Sequence, residues 1–325
     1  MRIGTIGTGF ITSWFLSCWL EEQNECEAVY SRNYNNGKQL ADKFNVEKIY
    51  TDLACFFSDD LIDIVYIASP NSLHYEHAKQ ALLANKHVIV EKPFTSTVEE
   101  CEELLRLAQE AGSFIFEGST TFSLPNVEII QSLLPKIEPI RIMTCNMSKI
   151  SRKYDEFLEG KKPNVFTTAY SGGALMDLNV YNIHLITALF GKPEELTYYA
   201  NRVDGIDISG CINMKYPKMV ISSIAGKDST ARNSVTIQGE KGSIYIDSSA
   251  AVCASIELEM REQEAETFNM QNHTLTHIYY IRKMIKIIEN ENWLEWKKNS
   301  DHTLLVMGVI VQARESAGII FGVGR

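Results

Sequence analysis

Two rhythms of apolar and polar positions divide the chain. Over the first third, short β-branched runs alternate with amphipathic stretches. Arg2–Ile6, Glu27–Tyr30, Leu61–Ala68, His87–Val90 and Phe114–Glu117 read as strands. Ser13–Glu22, Gly37–Phe44, the stretch that opens after Asn71 and ends near Asn85, and Val98–Ala111 read as helices. In the last of these, Cys101, Leu104, Leu105 and Ala108 share one face, and Gly112 marks its C-terminal stop. Strands alternating with helices predict an α/β unit, a doubly wound parallel sheet, to about residue 120.

Beyond residue 120 the rhythm changes. A helix over Asn126–Leu134, a strand over Ile140–Lys149 and a helix from near Ser171 to Gly191 are followed by one strand after another: Leu196–Val203, Gly210–Tyr216, Met219–Ala225, Ser234–Gly239 and Ser243–Asp247. The last two alternate with period two around a Gly239–Gly242 turn. Helical patterns return at Thr276–Glu289 and Asp301–Ala317. The expected organisation is residues 1–120 as one domain and 121–325 as an α+β domain on a largely antiparallel, open sheet. No internal repeat or low-complexity linker interrupts it.

Composition narrows the function classes. With 45% hydrophobic and 22% charged residues in 325, the chain is globular and long enough for two cores. A net charge of −10 argues against a nucleic-acid partner. The seven cysteines are dispersed and include no C-x-x-C pair, which fits reduced thiols in the cytoplasm. Met1-Arg2 leads directly into the first strand, so no signal peptide is expected, and no apolar run reaches membrane-spanning length.

The chemistry concentrates where strands end. Gly7-Thr8-Gly9-Phe10-Ile11-Thr12, between the first strand and its helix, is a dinucleotide fingerprint with Thr at its third position. The second strand ends in Ser31-Arg32 with no acidic residue for ribose hydroxyls. That pair suits a 2′-phosphate and favours NADP(H) over NAD(H). Ser69-Pro70-Asn71 opens the next helix, with Asn71 as its N-cap or as a ribose ligand and His74 on its first turn. Glu91-Lys92-Pro93 closes the central strand, and Pro93 gives the Lys92 side chain a defined exit. After Gly172-Gly173, Asp177, Tyr181 and His184 fall at i, i+4 and i+7, one face of a regular helix. His273 and His277 lack the Glu of the zinc-protease motif, and no metal is expected. Trp293 and Trp296 read as packing or interface residues.

These motifs, in this order and spacing, resemble the Gfo/Idh/MocA oxidoreductases over nearly the whole chain. The resemblance implies an N-terminal Rossmann domain and a C-terminal domain whose open sheet commonly forms a dimer or tetramer interface. It implies a sugar- or polyol-like substrate. Gly7, Gly9, Phe10, Ile11, Ser31, Arg32, Ser69, Pro70, Asn71, His74, Glu91, Lys92 and Pro93 would form the cofactor side, with Lys92 as the catalytic lysine. Asp177 would position substrate, and Tyr181 or His184 would exchange the proton. Tyr181, rather than His, four residues after Asp177 is similar to the glucose–fructose and dihydrodiol branch. A tyrosine titrates at about 10, and a neighbouring ammonium favours its ionised form. That branch usually has an Arg where this chain has Phe122, which implies an altered pocket. The alternative function on the same scaffold is a non-catalytic cofactor or sugar sensor.

Overall fold

The β-branched runs of the first third become a parallel sheet in the computed structural model, which describes residues 1–322. In chain order the elements are β1 (Arg2–Ile6), α1 (Phe10–Glu21), β2 (Glu25–Tyr30), α2 (Tyr34–Phe44), β3 (Lys48–Tyr50), α3 (Leu53–Phe57), β4 (Ile64–Ile67), α4 (His74–Leu83), β5 (His87–Glu91), α5 (Val98–Glu110) and β6 (Ile115–Gly118). The strands lie in the order β3-β2-β1-β4-β5-β6, every pair parallel. Ile64, Val65, Tyr66 and Ile67 are all buried, as a strand covered on both faces requires. Neither β3 nor α3 stands out in the sequence pattern. Each is too short to show a period.

The chain then forms α6 (Pro125–Ile137), β7 (Ile140–Ser148), α7 (Tyr154–Leu158), α8 (Val180–Phe190), β8 (Glu195–Val203), β9 (Ile206–Lys215), β10 (Val220–Gly226), β11 (Ser234–Gly239), β12 (Gly242–Ile246), β13 (Ile256–Met260), β14 (Glu266–Phe268), α9 (His277–Glu289) and α10 (Trp293–Ser316). Strands β7 to β14 make one eight-stranded sheet, β14-β13-β12-β11-β7-β10-β9-β8, antiparallel except where β7 meets β10. Helices α6 and α8 pack on one face, over Met143, Cys145, Val235 and Ile244. The other face keeps Ile142, Tyr199, Val220 and Ile224 exposed.

Contacts divide the chain into two compact units: Met1–Gly118 with His277–Leu304, and Ser119–Thr276 with the chain from Leu305 onward. The sequence pattern placed residues 277–304 in the second domain; they pack in the first unit. There α9 lies along α1, with both guanidinium nitrogens of Arg282 on the Glu22 carboxylate at 2.7 and 2.8 Å. Trp296 Nε1 donates to Ile115 O at 2.9 Å, and Trp293 stacks on Phe114. All seven cysteines are free thiols. Among the described residues, no helix is long and apolar enough to cross a membrane.

Candidate active site

In an open parallel sheet a ligand lies beyond the carboxyl ends of the strands where the strand order reverses. In the first unit that point falls between β1 and β4. Ile6, Ile67 and Val90 are register neighbours. The turns that follow them, carrying Gly7–Gly9, Ser69–Asn71 and Glu91–Pro93, therefore leave the sheet side by side. Three candidate segments meet here.

The two glycines of the first turn answer to different demands. Gly7 has φ +109°, and a Cβ there would sit 2.5 Å from Ala68 O, so the fold itself requires glycine. Gly9 is extended, and a Cβ there would meet nothing within 4 Å. No atom of the chain explains Gly9. The open space lies at the N-terminus of α1, which has no side-chain cap and starts with Phe10 and Ile11. That is the cradle a pyrophosphate fills. At the end of β2, Ser31 is buried with its Oγ accepting from Asn33 N at 3.3 Å, while Arg32 is exposed. A polar cleft of about 430 Å³ opens beside Thr8, lined also by Ser13, Asn36, Gln39 and Lys43, and Lys43 Nζ donates to Ser13 Oγ at 3.3 Å. These residues fit a phosphorylated dinucleotide. Lys43 escaped sequence reading because a lone lysine in a last helical turn is also an ordinary solvated residue.

Lys92 stands directly after β5, and the backbone on both sides of it is anchored. Before it, Glu91 is buried and accepts from Tyr66 Oη at 2.5 Å. Burial raises the Glu91 carboxyl to about 7, against the pull of the Tyr66 hydrogen bond and the Lys92 charge. After it, Pro93 O lies 3.0 Å from His74 Nδ1, and Phe94 N donates to Glu117 Oε1 at 3.2 Å. His74 Nε2 lies 2.9 Å from Ser69 O, so one buried ring ties the Ser69 turn to the Pro93 turn. Both of its nitrogens are thus engaged by backbone, which makes its position a scaffolding one. Burial lowers the His74 pKa against those two carbonyls, and the Lys92 charge adds to the lowering. Asn71 does not cap α4: it opens a 3₁₀ turn, Asn71–Leu73, and α4 has no side-chain cap.

The first unit adds a residue considered in the sequence only as half of a histidine pair. Trp14 Nε1, a group that can only donate, gives its hydrogen to His277 Nδ1 at 3.1 Å. The His277 ring therefore accepts at Nδ1 and, being neutral, carries its proton on Nε2. Burial, followed by the Lys92 charge, pushes its pKa down to about 4. Among the described residues no three His, Cys, Asp or Glu side chains gather as a metal site.

In the second unit Asp177, Tyr181 and His184 do not share one regular helix. Leu175–Asn179 is a π turn, closed by i→i+5 bonds, and α8 begins only at Val180. The wider turn displaces Asp177 from the i, i+4, i+7 face expected for it. The approach to it needs its glycines: Gly173 has φ +108°, and a Cβ there would sit 2.0 Å from Asp207 Oδ1. Asp177 and Tyr181 are half-buried, whereas His184 is 1% exposed. The partner of Asp177 is a residue the sequence reading missed, Lys227, whose Nζ donates to Asp177 Oδ2 at 2.7 Å. Fifty residues separate the two, and nothing in their local sequences signals the pair.

Comparison with known proteins gives this geometry its context. The model described as an oxidoreductase family with an NAD-binding Rossmann fold matches residues 1–119, and a GFO/IDH/MocA C-terminal domain model matches residues 140–245. The scyllo-inositol 2-dehydrogenase (NADP(+)) IolU of Bacillus subtilis is 32% identical over 99% of this chain and 98% of its own length. The chain belongs to the Gfo/Idh/MocA oxidoreductase family.

Solved structures carry the same fold. A levoglucosan dehydrogenase in complex with NADH and levoglucosan matches with a TM-score of 0.84 at 18% identity, covering 98% of this chain and 97% of that one. A 3-ketoreductase from Actinomadura kijaniata, in complex with NADP and TDP-benzene, matches with 0.83 at 20% identity, covering 97% of each. In this Gfo/Idh/MocA member, Phe122 lies in a 3₁₀ turn, Thr121–Ser123. Thr120 and Thr121 hold that turn by donating to Ala251 O and Ala250 O at 3.0 and 3.2 Å.

Proposed function

We propose that this oxidoreductase is an NADP(H)-dependent dehydrogenase or reductase of a neutral, cyclic polyol or sugar, interconverting a secondary alcohol with its ketone or a hemiacetal with its lactone. The observation that carries the reading is the anchoring of Lys92, held through Glu91, Pro93 and Phe94 at the carboxyl end of β5. A lysine so fixed gives its ammonium one approach to a reacting oxygen. The full-length similarity to a scyllo-inositol 2-dehydrogenase supports the substrate class, and the exposed Arg32 after β2, together with the polar cleft that Lys43 lines, supports the 2′-phosphate.

The nicotinamide, when bound, supplies the hydride chemistry. Lys92 donates a hydrogen bond to the substrate oxygen and stabilises the charge that gathers there as the C–H bond breaks or forms. Tyr181 exchanges the hydroxyl proton; its half-buried side chain favours it over His184, which is buried in α8. Asp177 accepts a hydrogen bond from a substrate hydroxyl. The reduced cysteines favour a cytoplasmic setting, and the uncovered sheet face favours a homodimer or homotetramer.

Replacing Lys92 with Ala tests the assignment. NADPH binding, followed by fluorescence quenching, stays within about threefold of wild type. Turnover of scyllo-inositol with NADP+ falls by about 10²–10⁴. Near-normal turnover in that variant overturns the role of Lys92.

A further inference from the structure

The π turn that carries Asp177 is fastened at three alternate residues. Leu175 N donates to Asp207 Oδ2 at 2.6 Å. Asp177 Oδ2 accepts from Lys227 Nζ at 2.7 Å. Asn179 Oδ1 accepts from Ser223 Oγ at 2.5 Å, and its Nδ2 donates to Ser223 O at 3.3 Å. The outer two fastenings hold the backbone of the turn in register with β9 and β10. Only the middle one acts on the carboxylate.

Lys227 is fully committed. Its side chain is 1% exposed, its Nζ also donates to Val165 O at 2.9 Å, and its charge lies 4.6 Å from the centre of the Phe166 ring. Two of the three ammonium hydrogens are spent on oxygens and the cation rests on an aromatic face. A buried ammonium persists only with such partners. Asp207, which also accepts from Tyr198 Oη at 2.8 Å, is a second carboxylate within reach of the Lys227 charge. The Asp177 side chain, by contrast, is 32% exposed. One end of this ion pair is locked in the core and the other reaches the surface.

We propose that Lys227 is the positioning residue of the substrate site: it holds Asp177 as a fixed carboxylate that accepts hydrogen bonds from the hydroxyl groups of a polyol. The inference rests on the reading of Asp177 given above. An ionised carboxylate accepts and cannot donate. The pair therefore selects substrates that present a hydroxyl at this point and rejects those that present a carbonyl or a carboxylate there. The Lys227 charge also offsets that of Asp177, so the site carries no net repulsion.

Steady-state kinetics with NADP+ and scyllo-inositol on the full chain test it. Asp177→Asn raises KM at least tenfold. Lys227→Met raises KM by a similar factor with kcat within about threefold, and the double variant is no worse than Asp177→Asn alone. Lys227→Arg restores KM to within about threefold of wild type. If Lys227→Met does not fold, Lys227→Gln, which keeps a donor for Val165 O, takes its place. Wild-type KM in the Lys227 variant beside a damaged Asp177→Asn overturns the role of Lys227 alone. So does a double variant that is much worse than Asp177→Asn. Absence of wild-type turnover, or an Asp177→Asn enzyme indistinguishable from wild type, overturns the underlying reading and this inference with it.

Discussion

Glu91 sits fully enclosed next to the lysine that defines the site, and its titration reports that enclosure. Burial lifts its carboxyl from 4.5 to about 7, more than the Tyr66 hydroxyl and the Lys92 charge pull it down. The folded pKa lies above the unfolded one, so the unfolded chain loses this proton first as pH rises. The stability associated with protonated Glu91 is complete below pH 4.5, declines as pH climbs toward 7 and is gone beyond it, a change of roughly 3 kcal/mol. Glu91→Gln removes the titration. Urea unfolding at a series of pH values checks this: the stability of the variant gains on that of wild type by roughly 3 kcal/mol between pH 4.5 and 7.5. Parallel curves would place the Glu91 proton elsewhere. At this scale legibility depends on distance along the chain. Lys92 could be read because Glu91 and Pro93 flank it and a strand precedes it. Lys227 could not, because its meaning comes from Asp177, Val165 and Phe166, all more than forty-five residues away.

At the scale of elements, the turn after β1 separates what the fold needs from what a ligand needs. An added Cβ at Gly7 meets Ala68 O at 2.5 Å in a left-handed backbone; one at Gly9 meets empty space. Gly7→Ala should therefore cost about 2–4 kcal/mol of stability. Gly9→Ala should cost less than about 1 kcal/mol and yet weaken NADPH binding at least about tenfold. Thermal unfolding together with an NADPH titration on the two variants separates the cases. A Gly9→Ala protein that binds NADPH normally would remove the phosphate cradle from this turn. The strands and helices of the first unit were legible because each carries its own period. The π turn was not: Leu175–Asn179 has the apolar pattern of an ordinary helix, and its extra residue per turn is set by the fastenings to Asp207 and Ser223. Helix α9 was legible as a helix but not as a partner of α1, since an amphipathic face such as Ile278, Ile281 and Met284 does not name the surface it covers.

For the whole molecule, the open face of the eight-stranded sheet poses the remaining physical question. Its covered face is apolar and buried beneath α6 and α8, whereas Val220 and Ile142, direct neighbours across β10 and β7, are 55% and 41% exposed. Ile224, four residues further along β10 on the same face, is 38% exposed, and Tyr199 of β8 lies across from Cys211 on β9 at 64%. Between them stand Thr144, Ser222 and Asn213, small uncharged side chains, with Ser222 Oγ donating to Asn213 Oδ1 at 2.8 Å. Charge stands at the rim of this face, where Lys215, opposite Val220, pairs with Glu195 at 2.5 Å. The β-branched and aromatic side chains inside that rim are poorly suited to water and well suited to a second copy of themselves, because a two-fold axis sets the same patch against itself. Such a contact needs about 800 Å² from each partner. Ile224→Glu places a carboxylate within the patch, between Asn146 of β7 and Cys211 of β9, without touching the core, since Ile224 lies on the open face. Light scattering coupled to size exclusion should then show the wild-type chain at a multiple of 36.8 kDa and the variant at that mass. NADPH binding by the first unit should be unchanged. A wild-type protein that already elutes as a single chain would leave this face exposed to solvent and assign its apolar residues no partner of their own kind.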